Sequence, residues 1–288
     1  MDRMSDPTIT LNDGRRIPRL GLGVWRISAG RKCEAAVAAA LEAGYRHFDT
    51  ASFYGNEESV GAAIRASGIP RREIFVTTKL WNSDHGRIEA ALEASLRRLK
   101  FDYVDLYLIH YPVKERMRCW PTLEKLQQAG KARSIGVSNF TIKHLTELLA
   151  QTGTVPAVNQ VEFHPYLYQR ELLEFCAKNG VVIEAYSPLT QGERLNDPKL
   201  LEIAKNYPRA STTAGTKSPS GDSSKSTAQI LIRWALQHDL VVIPKSANAA
   251  RIRENAEVFD FEITRQDMQI LDGFDENLRT CWDPTNAP

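Results

Sequence analysis

Eight short apolar or β-branched runs recur along the 288 residues, and helically spaced stretches lie between them. No other feature constrains the fold as much. The runs are Arg19–Trp25, His47–Ala51, Ile74–Leu80, Val104–His110, Ala132–Asn139, Ala157–Phe163, Val181–Ser187 and Leu240–Lys245. Among the helical stretches are Glu34–Ala43, Arg87–Lys100, Ile142–Ala150, Arg170–Asn179 and Thr227–Gln237. Gly44, Gly130 and Gly180 fall at or just past helix ends, where a left-handed residue is wanted. Eight strand-then-helix units predict an α/β fold of the (β/α)8 barrel type, one domain over residues 1–288. The competing doubly wound sheet would want a glycine-rich phosphate loop directly after a strand. Gly21-Leu22-Gly23 lies inside the first run and lacks the third glycine, so it does not supply one.

Two segments fall outside a bare barrel. Ile9–Ile17 reads as two short strands around Asp13-Gly14, a hairpin that could plug the barrel's N-terminal mouth or merely decorate it. Pro208–Ser226 has nine Ser or Thr among 19 residues and nothing larger and more apolar than Ala. Such a segment buries too little surface to offset its ordering entropy, and it is expected to be a flexible insertion before the last barrel units. It is either a tolerated surface loop or a regulatory one around Ser218-Pro219.

Composition removes other classes. Thirty-seven Lys and Arg against 35 Asp and Glu leave a net charge of +2, too little for a polyanion-binding face, so nucleic acid is not an expected partner. The cysteines Cys33, Cys119, Cys176 and Cys281 form no CxxC pair, which predicts reduced thiols and no metal site. Met1 to Pro7 has no apolar leader-like run, and no stretch has the roughly 20 apolar residues a membrane span needs. A cytoplasmic protein without membrane contact is expected.

In a barrel of this kind chemistry gathers at the C-terminal ends of the strands. Asp49 ends the second run, Tyr54 follows it, Lys79 ends the third and His110 ends the fourth. A phenol with a reference pKa of about 10 is a poor acid at neutral pH. A neighbouring ammonium is expected to lower that value, and a carboxylate to keep the ammonium charged. A neutral imidazole could orient a carbonyl oxygen. Together these groups suit protonation of a carbonyl, and the absence of an obvious side-chain nucleophile points to hydride from a cofactor.

These residues sit in words that resemble the aldo-keto reductase family over nearly the whole chain. They are Gly21-Leu22-Gly23-Val24-Trp25, Gly44-Tyr45-Arg46-His47-Phe48-Asp49-Thr50-Ala51, Thr77-Thr78-Lys79-Leu80-Trp81 and Asp105-Leu106-Tyr107-Leu108-Ile109-His110. Gly136-Val137-Ser138-Asn139-Phe140, Val158-Asn159-Gln160, Ala185-Tyr186-Ser187-Pro188-Leu189 and Ile243-Pro244-Lys245-Ser246 continue the order. Residues 77–84, the short loop after His110 and the short tail look most like two groups within the family, the trypanosomatid prostaglandin F synthases and the bacterial 2,5-diketogluconate reductases.

The resemblance implies reduction of aldehydes and ketones with NADPH/NADP+. Tyr54 would be the general acid, tuned by Lys79 and Asp49, with His110 orienting the carbonyl. Tyr186 would stack on the nicotinamide; Ser138, Asn139 and Gln160 would bind its carboxamide; Ser187 and Leu189 would cover the pyrophosphate. Lys245, Ser246 and Arg251 would hold the 2′-phosphate, with Glu254 and Asn255 near the adenine. The residues agree there, since Lys245 and Ser246 just precede a helix expected at Ala249–Val258, whose N-terminus favours anions. Trp25, Phe53, Trp81 and Tyr111 would line the substrate pocket. Tyr111 replaces the Trp common in the family, and the short tail predicts an open, permissive pocket. Small barrels of this family imply a monomer.

Two further readings stand beside this one. Glu162 and Glu184 could be a glycosidase's paired carboxylates. Alternatively the fold could serve as a binding subunit that holds NADPH without turning over a carbonyl.

Overall fold

The computed structural model describes residues 7–209 and 224–288. An antiparallel hairpin opens the chain, β1 (Thr8–Thr10) with β2 (Arg16–Pro18), in the register Ile9 opposite Ile17. The Asp13-Gly14 turn holds Gly14 at φ 83°. Eight parallel strands follow in sequential order: β3 (Leu22–Gly23), β4 (His47–Asp49), β5 (Phe75–Leu80), β6 (Val104–Ile109), β7 (Ala132–Ser138), β8 (Val158–Glu162), β9 (Val182–Tyr186) and β10 (Val241–Val242).

The sheet closes on itself. Leu20 and Gly23 bridge Val242 and Lys245 in parallel, and Gly21 N–H donates to the Val242 carbonyl at 2.9 Å. The expected (β/α)8 barrel with an N-terminal hairpin is the observed architecture. The first and last strands are shorter than the runs Arg19–Trp25 and Leu240–Lys245 suggested, although the backbone stays alongside throughout. Pro244 explains the last strand, because it offers no N–H to continue the ladder.

Around the sheet run α1 (Arg31–Glu42), α2 (Glu57–Ala66), α3 (Ile88–Leu99), α4 (Arg116–Gln128), α5 (Ile142–Gln151), α6 (Arg170–Lys178), α7 (Pro198–Lys205), α8 (Thr227–Gln237), α9 (Ala249–Ala256) and α10 (Arg265–Asp272). Their apolar residues keep helical spacing: α1 buries Cys33, Ala36, Val37, Ala40 and Leu41 against the strands. Gly44, Gly130 and Gly180 each stand two residues past a helix end with φ between 70° and 90°, as the C′ position requires.

Leu11 and Ile17 of the hairpin pack with Phe75, Leu106, Val158 and Val241 from the lower parts of four strands. The hairpin therefore plugs the N-terminal mouth and leaves the other rim open. Of the segment Pro208–Ser226, the described ends are joined by a bridge between Pro208 and Ser224, and Lys225 N–H donates to the Tyr207 carbonyl at 2.7 Å. Its expected flexibility and any role of Ser218-Pro219 concern residues 210–223, outside the described residues. No helix among the described residues is long and apolar enough to cross a membrane.

Candidate active site

At the open rim the strand ends bring four side chains together. Lys79, fully buried at the end of β5, donates from Nζ to both oxygens of Asp49 at 2.7 Å and to the Thr50 carbonyl at 2.9 Å. It also stands 3.3 Å from the Tyr54 hydroxyl. Tyr54 rides on a single 3-10 turn, Ser52–Tyr54, ended by Gly55 at φ 68°. The turn is held by Asn56, which is completely buried. Asn56 accepts from the Thr50 hydroxyl at 2.8 Å and donates to the Val24 and Ile27 carbonyls at 3.0 Å each.

Burial first, and then the Asp49 carboxylate, push the Tyr54 phenol well above its ordinary value. The expectation that the ammonium lowers it is therefore corrected: Lys79 is neutralised by Asp49 at contact, and desolvation of a phenolate outweighs what attraction remains. Tyr54 is a protonated donor throughout the physiological range. The His110 ring meets Tyr54 edge-on, with centroids 5.7 Å apart. Burial and then Lys79 hold its pKa well below 6.5, so the imidazole is neutral, as expected. Its Nδ1 is buried with no protein partner among the described residues.

Beneath the rim the polar set continues. Gln160 Nε2 donates to Asp49 Oδ2 and to Glu184 Oε2, both at 2.8 Å. His47 Nε2 lies 3.3 Å from Glu184 Oε1 and 3.2 Å from Thr77 Oγ1.

A groove crosses the rim from Trp25 and Tyr54 to Glu254 and Asn255. Its middle is built by Ser138, Asn139, Gln160 and Tyr186. Ser138 donates to the Gln160 carbonyl at 2.8 Å, and Tyr186 donates to Asn139 Oδ1 at 2.8 Å. Asn139 Nδ2 donates to the His110 carbonyl at 3.0 Å, which ties this wall to the rim histidine. Ser187 and Leu189 border the groove in a strap with Ser187, Thr190 and Gln191 in left-handed backbone, the kind of strain that collects at functional sites.

The far end is cationic. Lys245 is pulled below its ordinary pKa by burial and by the nearby charges of Lys32 and Arg26. Arg251 sits in the first turn of α9, where Asn248 caps its backbone N–H at 3.1 Å. Ser246 Oγ accepts from the Asn248 N–H at 3.1 Å. Asn255 is buried, and Glu254 pairs with Arg209.

The near end is aromatic. Phe53 stacks on Trp81 at 3.8 Å, and Tyr111 stacks on His110 at 4.8 Å. Trp25 lines the groove with the Arg26 guanidinium 4.2 Å above its ring. Trp81 backs Phe53 and meets His110 edge-on at 5.2 Å. The short tail, expected to leave the pocket open, adds a wall to it. Glu162 accepts from Thr280 N–H at 2.8 Å, Cys281 N–H at 3.1 Å and His164 Nε2 at 3.2 Å. This clamp lays Trp282 edge-on to Tyr111, centroids 5.0 Å apart. Glu162 is thus a tail anchor and Glu184 belongs to the barrel interior.

The aldo/keto reductase family model matches residues 19–276. The chain belongs to that family. The reductase is 47% identical over 284 residues to the 9,11-endoperoxide prostaglandin H2 reductase of Trypanosoma cruzi, covering 96% of this chain and 95% of that one. It is 45% identical over 280 residues to the glyoxal reductase of Bacillus subtilis, covering 96% of each. The crystal structure of an aldo/keto reductase from Brucella melitensis superposes with a TM-score of 0.84 at 45% identity, covering 93% of this chain and 99% of that one. The reductase is accordingly an oxidoreductase acting on carbonyl groups.

Sequence reasoning missed Asn56, His47, the interior role of Glu184 and the Trp282 wall. Asn56 had a faint signal, a lone Asn directly before Glu57-Glu58 at a helix start. Trp282, an aromatic residue after the last helix, had none that told it from a surface residue.

Proposed function

We propose that this reductase converts aldehydes and ketones to alcohols with NADPH, Tyr54 being the general acid. One observation carries the reading: a buried Asp49–Lys79 pair lies beneath a protonated phenol, beside a neutral imidazole, at one end of a groove whose other end is cationic. The groove fits the cofactor on charge. Lys245 and Arg251 have no acidic partner among the described residues, and two further cations crowd Lys245, so a phosphate there would relieve a repulsion. Lys245, Ser246 and Arg251 would hold the 2′-phosphate, with Glu254 and Asn255 at the adenine. Ser187 and Leu189 would cover the pyrophosphate, and Tyr186 would stack on the nicotinamide. Ser138, Asn139 and Gln160 would meet its carboxamide. Bound there, NADPH supplies a hydride.

The side chains do the rest. Both Nε2 hydrogens of Gln160 are taken by carboxyl oxygens of Asp49 and Glu184, so its Oε1 is the atom left for an amide N–H. His110, neutral, donates to the carbonyl oxygen and directs it toward Tyr54. The phenol gives up its proton as negative charge gathers on that oxygen, and Lys79 steadies the phenolate left behind. Trp25, Phe53, Tyr111 and Trp282 make a pocket for a compact or flat carbonyl, with Trp81 behind Phe53.

The names of the relatives make small dicarbonyls and a prostaglandin endoperoxide the first substrates to try; a keto-gluconate, suggested only by the sequence resemblance over residues 77–84, is a third. The free thiols of Cys33, Cys119, Cys176 and Cys281 support a reducing, cytoplasmic setting, and a monomer would suffice because the whole site lies on one chain. NADPH consumption, followed by absorbance with each carbonyl, tests the proposal. Turnover ranks the substrates. Tight NADPH binding without turnover of any of them would leave a binding subunit instead.

A further inference from the structure

Glu184 is completely buried in the middle of the barrel, and the reaction just described does not use it. Facing it are His47 and Asp49 from β4, Thr77 and Lys79 from β5, and Gln160 from β8, while its register partner on β10 is Val241. Gln160 Nε2 gives one hydrogen to Asp49 Oδ2 and the other to Glu184 Oε2, at 2.8 Å each. The opposite amide orientation would set an oxygen against two carboxyl oxygens, so the pair of acceptors fixes which way Gln160 points. The other Glu184 oxygen meets His47 Nε2 at 3.3 Å.

We propose that Glu184 is a positioning residue for carbonyl reduction: through Gln160 it fixes the Asp49 carboxylate from below and sets the net charge beneath Lys79 and Tyr54. The proposal rests on the reductase reading above.

The physics runs through one proton. Burial, and then the nearby Asp49 anion, raise the Glu184 carboxyl to about 8, against hydrogen bonding from Gln160 and the attraction of Lys79. Burial holds His47 down to about 3, so its imidazole is neutral. A neutral carboxylic acid is the form that fits both sides: Oε2 accepts from Gln160, and Oε1, which has no hydrogen-bond partner among the described residues but lies 3.3 Å from His47 Nε2, can carry the proton on the side of that ring nitrogen. In that form the interior carries only the balanced Asp49–Lys79 pair. Once Glu184 loses its proton, a second anion lies under Asp49 and competes for Lys79, and a phenolate at Tyr54 becomes harder to form.

Glu184→Gln tests this directly. Glutamine copies the protonated acid, with an oxygen toward Gln160 and an N–H toward His47, and cannot ionise. The kcat for NADPH-dependent reduction of one carbonyl, and thermal unfolding of both proteins, are measured from pH 5 to pH 9.5. The ratio of kcat in E184Q to kcat in the wild type is expected to rise roughly five-fold or more across pH 8. Without any substrate, the Tm of E184Q relative to wild type should climb between pH 5 and pH 8 and then level off, because only the wild type must hold a proton tightly to fold. Superposable profiles for both readouts would overturn the proposal. So would a stability difference with no change in the kcat ratio, since Glu184 would then be structural only. A wild type that reduces no carbonyl removes the reductase reading and this inference with it. That failure is recognised by an inert wild type rather than by matched profiles.

Discussion

The Tyr54 hydroxyl stands 3.3 Å from the Lys79 ammonium, whose other hydrogens are engaged by Asp49 and the Thr50 carbonyl. An ammonium can only donate, so the phenol oxygen accepts and its own hydrogen is left to point into the groove. The ion pair thus aims the Tyr54 proton into the groove, and in the proposed reaction it would also stabilise the oxygen that proton leaves.

Tyr54→Phe keeps the ring and deletes only that proton. We expect kcat to fall by about 10²–10⁴-fold, the usual worth of a general acid, with NADPH affinity within about two-fold of wild type. Steady-state kinetics and fluorescence titration with NADPH check the two halves separately. Retained turnover would move the acid elsewhere.

Asp49→Asn removes the charge opposite a fully buried Lys79. Leaving a buried charge unpaired costs roughly 3–5 kcal/mol. Urea unfolding at pH 7 should show a loss of that order, and a loss below about 1 kcal/mol would mean that Lys79 finds water or another partner.

Four buried histidines, His47, His85, His110 and His144, are held below their ordinary value chiefly by burial and shape the acid side of the stability curve. His47 and His110 are held below their ordinary 6.5, by burial first and Lys79 after it. The unfolded chain therefore binds more protons than the folded one below about pH 6.5, and stability falls as the pH falls. Each histidine contributes about 1.4 kcal/mol per pH unit, while Glu184, with its raised value, acts with the opposite sign. In urea unfolding at pH 6 and pH 5, His110→Gln should reduce the slope by up to about one proton, and an unchanged slope would mean that His110 is charged in the folded protein.

The eight strands were legible because a parallel barrel is buried on both faces and its strands read as apolar runs. The four residues proposed to carry the reaction were legible because strand ends converge on one rim. What the sequence hid is set by contacts between distant positions or by burial. Asn56 is bolted to Val24 and Ile27, and Glu162 to Thr280 in the tail; neither link has a local pattern. A lysine next to Tyr54 suggested a lowered phenol pKa, but the desolvation that reverses the sign exists only in the folded protein. Glu162 and Glu184 read as a pair because both lie late in strands, yet one clamps the tail and the other lies under Asp49.

The cationic end of the groove should sort cofactors by charge. Lys245→Ala or Arg251→Ala deletes a charge-assisted contact worth about 1.5–3 kcal/mol to a phosphate. The NADPH Kd should rise by about 10–100-fold while the NADH Kd changes by less than about three-fold. Fluorescence titrations with both cofactors decide it, and equal losses would contradict the 2′-phosphate assignment.

Trp282 should sort substrates by size. It is 47% exposed, held at the rim by the Glu162 clamp on the tail, and meets Tyr111 edge-on. Its ring is linked to His110 only through Tyr111, so it should contact the outer part of a long apolar carbonyl more than a two-carbon one. An aromatic contact of this kind is worth about 0.5–1.5 kcal/mol beyond the area it buries. Trp282→Ala should therefore raise KM for a bulky apolar carbonyl by about ten-fold and leave KM for glyoxal nearly unchanged, with kcat preserved for both because Tyr54, Lys79 and His110 are untouched. If KM rose equally for both substrates, Trp282 would be supporting Tyr111 and His110 rather than gripping substrate.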